Sequence, residues 1–222
     1  MSTVETASVK EKNADRDRHR QIIRDGLERS FSDNAAVSKI DGTAGERMVD
    51  IITDTTLGVG GMLKLPQIRY SIASSGKVMK GFEARAGLVR PEYNTTGRIV
   101  GSVMFNPDCL IGTAEDFRKP IIGEWCEDRL RSTVAHELYH IHEAIVFPNR
   151  YCRSVNQVNN IPVSIQLNAW SSDWGEYAAE LFALKYIKLR RIEGWTEKIG
   201  HELNILEMKY ILGEMKRMRR GK

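Results

Sequence analysis

The stretch that most constrains this chain is Arg131-Ser132-Thr133-Val134-Ala135-His136-Glu137-Leu138-Tyr139-His140-Ile141-His142-Glu143. It contains the pattern His136-Glu137-x-x-His140. On a helix, residues four apart stand one above the other on the same face. Two imidazoles placed that way can hold one small cation together. Glu137 is too close in sequence to join them on that face, but it can take a proton from a water that the cation activates.

Val134, Leu138, Ile141 and Ile145 follow helical spacing and define an apolar stripe, and Pro148 follows soon after as a stop. His136 and His140 fall roughly opposite that stripe at about 100° per residue. The plain alternative is that both are solvated histidines on the polar face of an amphipathic helix. His142 lies about 200° further round than His140 and cannot share a cation with the pair, so it reads as a surface or supporting residue.

The length fits a single compact domain with an ample core. Apolar content of 41%, charged content of 28% and a net charge of +4 are ordinary for a soluble globular protein. That mild charge permits an acidic partner without demanding one. No apolar run approaches the length of about 20 residues needed to span a membrane, and the N-terminus has no apolar signal region. Cys109, Cys126 and Cys152 are odd in number and lack C-x-x-C spacing, which points to a reducing, cytoplasmic compartment.

Residues 1–20 are polar and dense in both signs of charge, and are expected to form a flexible charged tail, with His19 solvated. Ile22, Ile23 and Leu27 suggest a helix over about 20–30. A second is expected over Glu46–Asp54, with Met48, Ile51 and Ile52 inward, followed by a flexible turn at Gly58-Val59-Gly60-Gly61. That glycine cluster lacks the Gly-Lys-Ser/Thr of a phosphate-binding loop. Three strands come next: Gln67–Ala73, Gly81–Val89 and Gly97–Phe105, read as a small antiparallel sheet ahead of the histidine helix. The helix itself is expected to start near Ile122–Trp125. Pro148–Asp173 reads as a long irregular connection.

The next helix, from Asp173 to Ile187, puts Glu176, Glu180, Ala183 and Ile187 on one face, with Ala179 at its edge. Small alanines let two helices approach closely. Two carboxylates on such a face are costly to bury without a positive partner, and a cation held by two histidines is such a partner. There is a competing reading for Glu176. Asp173-x-x-Glu176 fits a capping box, in which Glu176 turns back to a backbone N–H. Glu180 has its own alternative as a plain solvated residue. Further on, Leu203, Leu206, Ile211 and Leu212 suggest more helix; His201 lacks a second histidine partner, since position 205 is Ile205. Residues 216–222 form a basic tail without interleaved stacking aromatics, which disfavours a nucleic-acid partner.

A small sheet, an H-E-x-x-H helix and then a helix bearing a glutamate resemble the gluzincin metallopeptidases. Within that group the helix pair is similar to the ImmA/IrrE family, whose second helix carries Glu, then Ala, then Phe-Ala. Glu176, Ala179, Phe182 and Ala183 stand at matching spacing. The Asn usual after that Ala is Glu180 here. The resemblance covers roughly residues 97–190. It implies a zincin-like α+β fold with Zn²⁺ held by His136, His140 and Glu176; with the N- and C-terminal helices read above, a single domain over about 21–215 is expected. It further implies Glu180 as the residue that orients His136, and Glu137 as the general base of a zinc-dependent peptidase acting on a protein or peptide substrate. Tyr151 and Tyr177 are oxyanion-donor candidates by type. The strand from Arg98 to Phe105 is expected at the sheet edge, where an extended substrate can add. The alternative reading is a regulatory or structural protein-binding domain that keeps the helix pair without catalysis.

Overall fold

A computed structural model of the chain describes residues 2–31, 43–73, 84–88, 99–106, 120–151 and 173–189, together with isolated helical positions between 202 and 217. The elements are α1 (Ser2–Phe31), α2 (Thr43–Leu63), β1 (Gln67–Ile72), β2 (Ala84–Leu88), β3 (Ile99–Phe105), α3 (Pro120–Val146) and α4 (Trp174–Leu189). This is an α+β arrangement, mostly helical, with one three-stranded sheet among the described residues.

The sheet is mixed, not antiparallel as the sequence suggested. Its order is β1-β3-β2, with β3 parallel to β1 and antiparallel to β2. The chain between Ile72 and Ile99 includes β2 and is long enough for the crossover that a parallel pair requires. In consequence β3, expected at the edge, is the central strand, and β2 is an edge. β1 alternates cleanly: Ile68, Tyr70 and Ile72 are buried while Arg69 is exposed. Tyr70 stacks on Phe105 of β3 and shares a hydrogen bond with the hydroxyl of Thr56 on α2.

α1 begins at Ser2, so the charged segment expected as a tail is helical. Its basic residues are not simply solvated. Arg16, Arg20 and Arg24, spaced four apart, face Asp54, Asp50 and Glu46 of α2. Arg16 Nε lies 2.8 Å from Asp54 Oδ1, and Arg20 Nε 2.7 Å from Asp50 Oδ1. On the core side, Gly26 lets α1 press onto β1: a Cβ there would stand 2.5 Å from the Tyr70 carbonyl oxygen.

α2 also runs further than expected, straight through Gly58–Gly61. Val59 is fully buried, and that packing outweighs the poor helix propensity of its neighbours. The helix ends at Lys64, whose φ of 53° is left-handed. The Leu65 N–H then donates to the Gly60 carbonyl at 2.9 Å, the six-to-one bond of a Schellman motif, and Pro66 follows.

α3 starts at Pro120, a residue suited to a first helical position. Val134, Ala135, Leu138 and Ile141 are buried, and join Leu27, Ile51, Ile52, Val103 and Phe105 in one core. Fully burying an aliphatic side chain of this size stabilises by about 1.5–3 kcal/mol, so the apolar side of α3 anchors the helix and its polar side is left free for chemistry. Ile145, expected on the buried stripe, is exposed. Gly101 on β3 sets the sheet's approach to α3, because a Cβ there would come within 2.9 Å of Ile141 side-chain carbons. After Val146 the chain forms a short helical turn over 148–151, closed by the Tyr151 N–H donating to the Phe147 carbonyl at 3.1 Å. The rest of the expected 148–173 connection, His201, Cys109 and Cys152 lie outside the described residues. No helix among the described residues is long and apolar enough to cross a membrane.

Candidate metal centre

α3 and α4 pack through small residues. Ala179 and Ala183 of α4 are fully buried, which brings the α4 backbone close to the polar side of α3. Asp173 caps α4: its side chain accepts from the Gly175 N–H. Glu176 occupies the position a capping box would use, yet its carboxylate turns towards α3 instead. Glu176 Oε2 lies 3.1 Å from His136 Nε2 and 3.3 Å from His140 Nε2, and the two Nε2 atoms are 3.1 Å apart. The local capping preference is therefore overridden by a contact between helices.

These three side chains can hold a metal ion. A tetrahedral site with bonds of about 2.0–2.1 Å separates its ligand atoms by about 3.3–3.4 Å, close to the spacing found here. Two imidazoles and one carboxylate do not by themselves single out zinc among divalent metals.

The surroundings are acidic and buried. Glu137, Glu143 and Glu180 are 8%, 2% and 5% exposed. Burial, aided by Glu176, pushes the Glu137 carboxyl above its ordinary value, and His136, His140 and the Ala86 N–H offset this only in part. For Glu176 the balance is reversed: burial opposes its charge, but His140 and His136 outweigh it and hold the carboxyl well below the ordinary range. Burial likewise opposes charge on His140, yet Glu176, Glu143 and Glu137 together raise the imidazole well above its usual value. So many buried carboxylates around two histidines make the pocket a place where a cation is favoured.

Each histidine has a carboxylate behind it. Glu180 Oε1 stands 3.6 Å from His136 Nδ1. Glu143 Oε2 stands 3.8 Å from His140 Nδ1. The sequence reading singled out Glu180 and passed over Glu143. The signal was available, since Glu143 is three residues beyond His140 and so shares its side of the helix. His142 is turned away and packs against Tyr139.

The edge strand β2 borders the pocket. Ala86 N–H is hydrogen-bonded to the Glu137 carboxylate. The Tyr151 hydroxyl donates to the Ala86 carbonyl at 3.4 Å. Tyr177, the other tyrosine of interest, packs edge-on against Trp174. Arg150, beside Tyr151 in the 148–151 turn, reaches back to Glu143.

None of the protein-family models, curated proteins or solved structures compared with this chain matches it.

Proposed function

We propose that this chain is a zinc-dependent peptidase of the zincin type, with the H-E-x-x-H helix α3 and the glutamate-bearing helix α4 as its catalytic pair. The observation that carries this reading is that the buried Glu137 carboxyl borders both the His136–His140–Glu176 triangle and the backbone of the edge strand.

In this reading His136, His140 and Glu176 hold Zn²⁺ through Nε2, Nε2 and Oε2. When bound, the ion lowers the pKa of a water to roughly 7 and polarises the scissile carbonyl. Glu137 would accept a proton from the attacking water and return it to the leaving amine; its raised affinity for a proton suits both roles. Glu180, whose Oε1 stands 3.6 Å from His136 Nδ1, would hold the proton on that nitrogen and so fix which nitrogen faces the ion. An extended peptide adding to the outer edge of β2 would displace the Glu137 and Tyr151 side chains from the Ala86 N–H and carbonyl that they now hold. The Tyr151 hydroxyl, which donates to the Ala86 carbonyl, is the candidate donor to a tetrahedral oxyanion.

The test is elemental analysis of the purified protein beside cleavage of a casein-type substrate, using wild type, Glu176→Ala and Glu137→Gln. One zinc per chain, weakened in Glu176→Ala, with cleavage abolished but zinc kept in Glu137→Gln, supports the reading. Zinc bound without cleavage favours the non-catalytic binding domain. No metal after zinc is supplied removes both the site and the peptidase.

A further inference from the structure

Glu143 is nearly fully buried, on the turn of α3 that follows His140. Its two oxygens have different company. Oε1 is held by the Arg150 guanidinium through both Nε and Nη2. Oε2 faces His140 Nδ1 at 3.8 Å. The same oxygen lies where a side chain at position 175 would have to go, 2.8 Å from an ideal Cβ on Gly175. The carboxylate is thus pinned on one side by an arginine, roofed by a glycine of the facing helix, and aimed at the imidazole nitrogen that the metal triangle does not use.

Burying a carboxylate is expensive, and Arg150 alone would satisfy it at the surface. Arg150 is half exposed, whereas Glu143 sits inward beneath Gly175. We propose that Glu143 is the positioning residue of His140: it holds the proton on Nδ1, presents Nε2 to the ion, and ties the metal centre through Arg150 to the 148–151 turn that carries Tyr151 onto β2. The two histidines are then oriented independently, His136 from α4 by Glu180 and His140 from its own helix by Glu143. Carboxylates behind ligating histidines raise ligand basicity, and their loss typically weakens metal binding about 10- to 100-fold. A glutamine at 143 has one acceptor oxygen where two donors, the guanidinium and Nδ1–H, compete.

This inference rests on the metal-centre reading above, and the experiment separates the two. Zinc affinity is measured by chelator competition for wild type and Glu143→Gln, with the melting temperature of each metal-free protein as a folding control. Cobalt is then substituted and its d–d spectrum recorded. The expected result is about tenfold or greater weakening in Glu143→Gln, with a shifted cobalt spectrum and intact folding. Equal affinity and an unchanged spectrum would overturn the positioning role while leaving the metal centre standing. Failure of the wild type itself to bind either ion would overturn the metal centre, and this role with it. Should Glu143→Gln fail to fold, Glu143→Asp takes its place: a carboxylate drawn back by one methylene should weaken zinc and shift the cobalt spectrum likewise, and wild-type affinity with an unchanged spectrum refutes the proposal.

Discussion

Gly175 of α4 lies directly over Glu143 of α3, so close that a Cβ on the glycine would stand 2.8 Å from the Glu143 Oε2 and 3.0 Å from the Asp173 Oδ1. One absent methyl group lets two helices share a buried carboxylate and a helix cap at the same point. Gly175→Ala is expected to destabilise the protein by about 1–3 kcal/mol, the usual cost of overpacking. Thermal melting checks this, and an unchanged midpoint would mean that both carboxylates can step aside freely.

The Tyr151 hydroxyl donates to the edge strand, whereas the Tyr177 ring packs against Trp174. Tyr151→Phe should therefore lower kcat on a peptide substrate by about 10²-fold or more, with zinc content unchanged. Tyr177→Phe should leave kcat close to wild type. Steady-state kinetics on the pair of variants decides between the two tyrosines, and equal effects would remove Tyr151 as the donor.

Metal removal should be visible in stability as well as in activity. An ion held by the proposed His136–His140–Glu176 site would stabilise only the folded chain, by about 2.7 kcal/mol when free ion exceeds Kd a hundredfold. Calorimetry with zinc and with a chelator should give two well-separated melting temperatures. Glu176→Ala should bring them together.

Acid should loosen the helical frame through identifiable carboxylates. Hydrogen bonding from Arg20, opposed by slight burial and reinforced by Arg24, holds Glu46 below its ordinary value. Burial opposes ionisation of Glu127, but Arg47 and Arg131 outweigh it and lower that group too. A carboxyl with a depressed folded-state pKa contributes stability that is fully present above its unfolded value, about 4.3, and is lost as pH falls through the lower folded value. The melting temperature should therefore drop as pH falls below about 4.3. Glu46→Gln and Glu127→Gln should each flatten the drop, and added salt should shrink the Glu46 contribution more, because the Glu46 carboxylate is the more exposed of the two.

Lys64 holds a left-handed backbone at the end of α2 with φ of 53°. Left-handed geometry costs a side-chain-bearing residue about 1 kcal/mol relative to glycine. Lys64→Gly should raise stability by about 0.5–1 kcal/mol, less than the full strain because glycine also frees the unfolded chain. Denaturant melts would detect this, and a loss of stability would mean that the lysine stem contributes packing.

What the sequence made legible follows the reach of local rules. His136, His140, Glu176 and Glu180 could be placed because helical spacing alone decides which residues share a face. Glu176 remained ambiguous with a capping box, since the choice depends on how near another helix lies, and only Ala179 and Ala183 hinted at that distance. Strand order was not legible: alternation located β1 and β3, but their parallel pairing is fixed by contacts far apart in the chain. The glycines at 58–61 misled for the opposite reason. Their propensity argues for a turn, yet burial of Val59 and the cap at Lys64 complete a helix there. Arg16 and Arg20 looked like a solvated charge run because their partners on α2 lie 38 and 30 residues away.

A strand at the rim of a sheet is a template on which further copies of a chain can stack, and proteins guard such rims to avoid clumping. On β2 the outward N–H and carbonyl of Ala86 are both taken by side chains, Glu137 and Tyr151. The two residues proposed for peptide hydrolysis would therefore also act as sentries for solubility. A variant stripped of both, made to study chemistry, would lose its protection against self-association along that rim, and its light scattering should rise with concentration where the wild type stays clear.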